Sequence, residues 1–438
     1  MKFLILALAL VMYALVIVFQ EKKVCWSLGA AAIAIILGTI FPQRIFEGSG
    51  AAFAVTHSLT ELINWNVLMI YVGSMIIAAL FIYSREPSRI ADSIIKASPS
   101  SGLAIVLILA MTGIISIFVE NVATVLVMAP IALALCKKLK ISPVNFMVGL
   151  AVMSNLEGTA TLVGDPPSMI FASFAGYTFN DFFVHNSRLS IFFFIQTGLL
   201  VGCVFFYFIF REAKEKIQVE ETKVISLFPS ALLLLMIFGL AAISFLKIEF
   251  AFASGGFVLA LGIVGLLWHR FSQKKSSQEI WELVKGLDWE TIFFLIGIFV
   301  VVGALSESGL LMDFAAFLSK ITAGSKIGAF VLILLVSIVL SGFIDNVPYI
   351  IVMLPVASHL ASSLGIAPEL YMFALLIGSC LGGNLTPYGA SANVVAMGIV
   401  KREGSPMNFG SWLKLGGPFT LLTTAAASIF LWLVWARQ

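Results

Sequence analysis

Long apolar stretches alternate with short polar connections along most of this chain. Runs of about 20 apolar residues, the length that an α-helix needs to cross the hydrocarbon of a bilayer, lie near 3–20, 24–42, 66–83, 190–210, 227–246, 250–268, 290–305 and 413–436. These runs lack the sustained apolar/polar alternation of membrane β-strands. The pattern therefore predicts an all-α polytopic membrane protein, which we expect to lie in an inner or plasma membrane.

Two helix-length regions carry polar and helix-breaking residues where lipid should be. SNLEGTATLVGDPP, 154–167, interrupts a helix of about 144–176, and SCLGGNLTPYGAS, 379–391, interrupts one of about 369–400. Glycine and proline do not sustain a helical hydrogen-bond ladder through such stretches, so we predict two broken helices. Unpaired backbone inside a membrane is tolerated only where protein or a watery cavity surrounds it. The two breaks therefore mark a candidate site.

Ahead of each broken helix, two apolar segments flank a short polar tip. The first tip is VENVA, within about 101–140, and the second is IDNVP, within about 327–364. Each pair of segments predicts a re-entrant hairpin whose tip stops inside the membrane.

These hairpins and broken helices form an internal repeat. The 51 residues that begin at Phe118 align without a gap on those that begin at Phe343, an offset of 225, and 18 positions are identical. The identical pairs include Asn121 with Asn346, which chance similarity between apolar helices would not align. The chain thus divides into an N-terminal half, 1–211, a cytoplasmic linker, 212–226, and a C-terminal half, 227–438.

The distribution of basic residues predicts how the chain crosses the membrane. With both hairpins returning to their own side, 19 of the 26 Lys and Arg residues fall on one face; Arg44 and Arg437 are among the seven on the other. Because basic residues favour the cytoplasmic side, we expect both termini outside and two copies of inverted orientation. Inverted repeats with broken helices that meet at the midplane are typical of secondary transporters.

Four segments of this sequence resemble the ion transporter superfamily. They are ENVATVLVMAP, DNVPYIIVMLP, GTATLVGDPPSMI and CLGGNLTPYGASANVVAMGIVKREG. The resemblance is strongest to the branch of arsenite permeases, NhaD-like sodium/proton antiporters and the melanosomal P protein. It implies a scaffold and an elevator-type transport domain that holds both hairpins and both broken helices. Dicarboxylate carriers of the superfamily have Ser-Asn-Thr at the tips, whereas this chain has Glu120-Asn121 and Asp345-Asn346, which argues against a dicarboxylate substrate.

Charge also favours a cation at this site. The segments 101–135, 144–187 and 327–400 contain no Lys or Arg, yet four acids lie at their breaks, namely Glu120, Glu157, Asp165 and Asp345. Carboxylates inside a membrane are costly and indicate function. Sodium is a hard cation that prefers oxygen ligands, so the Na⁺ candidates are Glu120, Asn121, Asp345 and Asn346.

The other candidate substrate- or ion-binding residues offer hydroxyl, amide or backbone groups at the breaks. They are Ser154, Asn155, Gly158, Thr159, Thr161, Ser379, Gly383, Asn384, Thr386, Ser391 and Asn393. A structural alternative exists for each kind of residue. The tip acids would cap the helices that follow them, and the loop hydroxyls and amides would satisfy freed backbone groups.

We therefore expect a secondary active ion transporter coupled to Na⁺ or H⁺, acting by Na⁺/H⁺ antiport or by efflux of arsenite or another oxyanion. The alternatives are a citrate or dicarboxylate carrier, a channel and an intramembrane enzyme. Four scattered histidines do not favour an enzyme. We expect no cofactor beyond the coupling ion and no nucleic-acid partner. Relatives are usually homodimers, and any ATP dependence would need a separate ATPase subunit, because the sequence has no nucleotide-binding motif.

Overall fold

The structure is a computed structural model that describes residues 2–41, 45–46, 51–216, 219–248, 250, 252–322 and 324–436. Arg44 and Arg437, which entered the prediction of topology, lie outside these residues. The first half of the chain contains ten α-helices in the described residues: α1 Lys2–Val18, α2 Lys23–Ile40, α3 Ala51–His57, α4 Trp65–Tyr83, α5 Glu86–Ala97, α6 Ser101–Ser116, α7 Asn121–Leu139, α8 Val144–Gly158, α9 Pro166–Ala175 and α10 Ile191–Phe210.

Ten more α-helices follow in the described part of the second half: α11 Phe228–Phe245, α12 Ala253–Phe271, α13 Ser277–Lys285, α14 Trp289–Glu307, α15 Leu310–Ile321, α16 Lys326–Ser341, α17 Asn346–Ser363, α18 Glu369–Gly382, α19 Ser391–Arg402 and α20 Phe409–Trp435. Short 3-10 turns cover Gln20–Lys22, Phe179–Phe182 and Gly383–Leu385, and a π-helical turn covers Ser58–Leu62. Val184–His185 pairs antiparallel with Arg188–Leu189 in a small hairpin.

Eight of these helices are long and apolar enough to cross a membrane. Judged by length and composition over the described residues, they are α2, α4, α7, α10, α11, α12, α14 and α20. The chain bends by 118° between α15 and α16, and these two helices give a ninth span if they are counted as one. The chain is thus an integral multi-pass membrane protein.

Both helices break within the predicted segments but over fewer residues, because α8 continues through 154–158 and α18 through 379–382. The chain leaves helical structure after Gly158 and re-enters it at Pro166, and in the second half α18 and a 3-10 turn end before Thr386 and α19 begins at Ser391. Proline suits the first turn of a helix, where its missing N–H costs nothing, so Pro166 starts α9.

The two halves of the molecule interlock around the broken helices. α6 and α7 form the first hairpin, and α16 and α17 form the second. α8 packs against α6 and α7, and α18 packs against α16 and α17, so each broken helix lies on the hairpin of its own repeat. Beyond the break the partners change: α9 packs against α17 and α18, and α19 packs against α7 and α8. Each break therefore carries the chain from its own repeat onto the other one.

Contacts of the first copy recur 225 residues later. Thr161 donates a hydrogen bond to the carbonyl of Ile117 (2.6 Å), and Thr386 donates to the carbonyl of Gly342. A Cβ on Gly164 would come within 2.5 Å of the Gly158 carbonyl oxygen, and one on Gly389 within 2.5 Å of the Gly383 carbonyl oxygen. The sequence repeat is therefore also a repeat of side-chain and backbone contacts.

Candidate functional site

A cavity of about 500 Å³ lies where the two hairpin tips and the two breaks meet. This volume is within the range of small-molecule sites. Seven of the sequence-predicted residues line it: Glu120, Asn121, Asn155, Asp165, Asp345, Asn346 and Ser391. The fold thus brings residues of four separate segments, drawn from both halves, to one space.

Both tip acids cap a helix and also face this cavity. The two carboxylate oxygens of Glu120 accept hydrogen bonds from the backbone N–H groups of Val122 and Ala123, each at 2.9 Å. Asp345 accepts one from the N–H of Val347 at 3.0 Å. Capping holds each carboxylate beside the positive end of its helix. Because a carboxylate oxygen has more than one lone pair, the cap leaves acceptor capacity toward the cavity.

The tip amides lie against the glycines of the broken helices. Asn121 Oδ1 accepts a hydrogen bond from the Ser116 hydroxyl at 2.7 Å, and Asn346 Oδ1 accepts one from Ser341 at 2.5 Å. The Asn121 side chain also lies beside Asp165, which is 9% exposed. A Cβ on Gly158 would lie only 2.3 Å from Asn121 Oδ1. Glycine at this position is therefore what allows the tip to approach the break.

Three asparagines join the two breaks behind the cavity. Asn155 Nδ2 donates to Asn384 Oδ1 at 2.8 Å and to Asn393 Oδ1 at 2.9 Å. Asn393 Nδ2 in turn donates to the carbonyls of Gly383 and Thr386, both at 2.9 Å. All three asparagines are nearly or fully buried. Their hydrogen bonds satisfy carbonyls that the interrupted helix leaves free, as the end of any buried helix requires of its surroundings.

Nine predicted residues hold the loops in place but are not among the residues that line the cavity. They are Ser154, Gly158, Thr159, Thr161, Ser379, Gly383, Asn384, Thr386 and Asn393. Ser154, for example, hydrogen-bonds Ser116 at 2.8 Å and the carbonyl of Asn121 at 3.1 Å. Glu157 lies elsewhere, on the side of α8 that faces α10, where Gln196 donates a hydrogen bond to it at 2.7 Å.

The opposite wall of the cavity comes from helices that the sequence did not single out. Asp288, the N-cap of α14, accepts hydrogen bonds from the Thr291 N–H at 3.0 Å and the Tyr71 hydroxyl at 3.2 Å. Tyr13 of α1 donates to the carbonyl of Pro348, next to the second tip, at 3.2 Å. The sequence does carry a signal for this position: NWNVLMIYVG, which begins at Asn64, aligns with DWETIFFLIG, which begins at Asp288, at an offset of 224. This alignment extends the repeat to an acid at the start of a helix.

A basic residue also reaches this wall. The ammonium nitrogen of Lys23 lies 3.7 Å from Glu290 Oε1 and 5.6 Å from the centre of the Phe294 ring. The three repeat segments contain no Lys or Arg, but the cavity as a whole includes this lysine. Among the described residues, six acids nevertheless line the cavity with this one lysine, namely Glu21, Glu120, Asp165, Asp288, Glu290 and Asp345.

The acids are spread around the cavity rather than gathered on one point. Among the described residues, no three His, Cys, Asp or Glu side chains are placed to hold a single metal ion. A cation here would therefore combine at most two carboxylates with amide and carbonyl oxygens, which hard cations accept as ligands.

Comparison with known proteins identifies relatives over the whole length of the chain. The family described as Citrate transporter (CitMHS) matches residues 13–378 and 315–438. An uncharacterized transporter of Mycobacterium tuberculosis is 32% identical over 430 residues, which cover 96% of each chain. The human P protein is 25% identical over an alignment that covers 91% of this chain and 57% of that protein.

A solved structure shares the fold. The YdaH transporter of Alcanivorax borkumensis superposes with a TM-score of 0.61 at 16% sequence identity, and the match covers 99% of this chain and 98% of that one. At this identity the likeness concerns the fold alone.

Proposed function

This chain belongs to the citrate transporter family within the ion transporter superfamily, and we propose that it is a secondary active transporter that moves a small inorganic ion with Na⁺ or H⁺ as the coupling ion. The observation that carries the proposal is the meeting of both acid-asparagine tips with both breaks on one cavity. Glu120 with Asn121 and Asp345 with Asn346 would supply the oxygen ligands of a bound cation. Na⁺/H⁺ antiport is the form of exchange that this acidic cavity fits best.

The excess of carboxylates supports a cation as the species that binds. Lys23 pairs with Glu290, so among the described residues of the cavity wall the other acids have no basic counterpart. An anion would meet repulsion from these carboxylates, whereas a cation would gain from them in a site of low dielectric constant. Efflux of an oxyanion would therefore need its charge to be neutralised by protons or by a co-bound cation.

We further propose that the two repeats are inverted and that the transport domain moves like an elevator. Glu21, Lys23, Asp288 and Glu290 belong to helix ends that the distribution of basic residues assigns to the cytoplasm, and all four line the cavity. In this topology the present conformation opens its cavity toward the cytoplasm. Both termini then lie outside, and the site would be carried across the membrane with the hairpins and broken helices.

A citrate carrier is the second candidate. The description of the matching family favours it, and Lys23 supplies one positive charge at the cavity wall. Citrate carries several carboxylates, so this candidate requires that the acids of the cavity be neutralised when the substrate binds. Removal of a tip carboxylate should therefore weaken the binding of a cation and strengthen the binding of citrate.

The proposal is tested with purified protein in liposomes that hold a pH-sensitive dye. Na⁺ or Li⁺ is added outside, and proton movement is followed for the wild type, for Asp345→Asn and for Asp313→Asn. Asp313→Asn is the control variant, because it makes the same chemical change on an exposed residue that bonds Lys2. We expect cation-driven proton movement in the wild type and in Asp313→Asn, and its loss in Asp345→Asn.

Two results would contradict cation exchange. One is the absence of proton movement with any cation in the wild type, together with saturable uptake of labelled citrate, which would establish the second candidate. The other is full activity of Asp345→Asn, which would leave the carboxylate with its capping role alone.

A further inference from the structure

A buried carboxyl group lies beside the first break but outside the cavity. Glu157 is in the last turn of α8, is 0% exposed, and points toward α6 and α10. One of its carboxyl oxygens, Oε2, accepts a hydrogen bond from Gln196 Nε2 at 2.7 Å. The other, Oε1, is buried and has no hydrogen-bond partner among the described residues. Buried polar groups are rarely left unpaired, so this oxygen needs an explanation.

Packing does not require a carboxyl group at this position. A Cβ on Gly113 would come within 2.8 Å of Glu157 Cγ, so Glu157 fills the space above that glycine. In the second copy the large and the small residue change places. Gly382 corresponds to Glu157, and Ile338 corresponds to Gly113. A Cβ on Gly382 would lie 2.7 Å from Ile338 Cα. An apolar residue fills the same volume there, so the carboxyl group of the first copy has a separate role.

The surroundings of Glu157 do not stabilise a negative charge. The elements that pack against α8 are α6, α7, α10, α18, α19, α20 and the 3-10 turn Gly383–Leu385. The basic residues of these elements all lie in the first or last two turns of their helices: Lys137 and Lys138 on α7, Lys401 and Arg402 on α19, and Lys414 on α20. The acid Glu369 is the first residue of α18. Within the described residues none of these forms an ion pair with Glu157. Its neighbours on α10 are Gln196 and the Cys203 thiol.

A charge in this place would be costly. An ionised carboxylate without a paired cation loses several kcal/mol or more when it is taken out of water. The neutral acid avoids this cost, and it keeps the hydrogen bond from Gln196 because its carbonyl oxygen is still an acceptor. Burial without a paired cation thus favours the form of Glu157 that has a proton bound.

We propose that Glu157 and Gln196 form a proton-binding site that is separate from the cavity. Gly158, the next residue after Glu157, is the glycine against which the tip amide of Asn121 lies. A movement of this tip would shift the end of α8 and alter the environment of Glu157. The proton site itself does not depend on the proposed function, whereas its coupling to the tip does.

Infrared difference spectroscopy of the protein in liposomes tests the proton site without any transport. A protonated carboxylic acid has a carbonyl stretching band that a carboxylate lacks. We expect this band at neutral pH in the wild type and its loss in Glu157→Gln. Glu282→Gln, on the exposed surface of α13, is the matched control and should keep the band. An unchanged band in Glu157→Gln overturns the proposal.

A second variant keeps the test decisive if Glu157→Gln does not fold. Gln196→Leu removes the donor to the carboxyl group and leaves the acid in place. A protonated Glu157 then loses a hydrogen bond to its carbonyl, so its band moves to higher frequency. A band that stays where it is in Gln196→Leu shows that it belongs to another acid, and the proposal fails.

Coupling is measured in the same liposomes with the pH-sensitive dye and with ²²Na⁺ uptake as a second readout. We expect Glu157→Gln to retain saturable Na⁺ uptake and to lose the dependence of that uptake on pH. Equal pH dependence in wild type and Glu157→Gln overturns the coupling. Absence of Na⁺ uptake in the wild type counts against the proposed function instead, and the infrared result still decides the proton site.

Discussion

At the scale of single residues, the site depends on how closely a side-chain amide approaches a backbone. Asn121 reaches the broken helix because Gly158 has no side chain, and the amide is then held by a hydrogen bond from Ser116. The carboxylate of Glu120 is fixed at the same tip by two backbone N–H groups. Hydrogen bonds to residues nearby in the chain, and not ion pairs, thus orient the candidate ligands.

Gly158→Ala should therefore displace the tip. Its new Cβ would lie 2.3 Å from Asn121 Oδ1 and 3.1 Å from Asn121 Cγ. Overpacking of this kind costs about 1–3 kcal/mol, and we expect a lower melting temperature together with loss of cation-driven proton movement in liposomes. Gly256→Ala is the control, since a Cβ there meets no atom within 4 Å. Equal transport by both variants would show that the tip does not need its close contact with the break.

At the scale of elements, helix ends place polar groups beside the cavities. Glu120, Asp345, Asn64 and Asp288 are N-caps that accept hydrogen bonds from their own helices, and they line one of two cavities. A cap of the ordinary kind is seen on α13, outside the predicted spans. There Ser276 and Glu279 form a capping box, and Lys275 pairs with Glu279 at 2.7 Å.

The cap of α13 should be sensitive to acid. Hydrogen bonds from Lys275 and from Ser276 lower the pKa of Glu279 to about 2. An unperturbed Glu has a pKa of about 4.3, so the cap contributes its full stabilisation above that pH and loses it as the pH falls toward about 2. The protection of the first-turn amides of α13, taken as the hydrogen-exchange rate relative to the intrinsic rate at each pH, should therefore fall over this interval.

Glu279→Ala should expose the same amides already at neutral pH. Glu282→Ala is the control on the same helix, because the Glu282 carboxylate bonds only the exposed Gln278 side chain in the described structure, at 3.3 Å. Equal protection in the two variants, or protection in Glu279→Ala that still falls with acid as in the wild type, would contradict the assignment of the cap to Glu279.

At the scale of the whole molecule, the repeat offers a way to detect movement. Asn64 donates a hydrogen bond to Ser173 of α9, beside a second cavity of about 390 Å³. The residues that correspond to this pair in the other copy are Asp288 and Gly398. A Cβ on Gly398 meets no atom within 4 Å. If the two copies exchange roles during transport, Asn64 and Ser173 separate while Asp288 and Gly398 approach each other.

Paired cysteines test this exchange after the four native cysteines are replaced by alanine. We expect Asn64→Cys with Ser173→Cys to cross-link in the conformation described here and to stop transport until the disulfide is reduced. Asp288→Cys with Gly398→Cys should cross-link only when the cavity has turned to the other side. Full transport by the cross-linked first pair would rule out separation of α4 from α9 in the transport cycle.

The sequence predicted the local features of the site well. The positions of the two tips and the two breaks follow from polar residues, glycine and proline in otherwise apolar stretches, and these signals act over a few residues. The repeat then paired Asn121 with Asn346 and Thr161 with Thr386, and each pair makes equivalent contacts.

The wall opposite the tips could not be predicted in the same way. α4 and α14 are apolar on all sides, so the sequence does not show which face of such a helix meets a cavity. Lys23 and Asp288 belong to segments far from the tips in the chain, and only packing brings them to the same space. Glu157 illustrates the reverse case, because a residue in the motif faces α10 and not the cavity.

The sequence alone thus determined that the chain crosses a membrane as helices, that two helices are interrupted, and that acids and asparagines occupy the tips. These properties depend on composition and on neighbours within a turn or two. Only the tertiary structure decided that α9 and α19 cross to the other repeat and which seven predicted residues share one cavity. Such contacts depend on the directions of buried faces in helices distant along the chain, and a nearly uniform apolar sequence does not encode those directions locally.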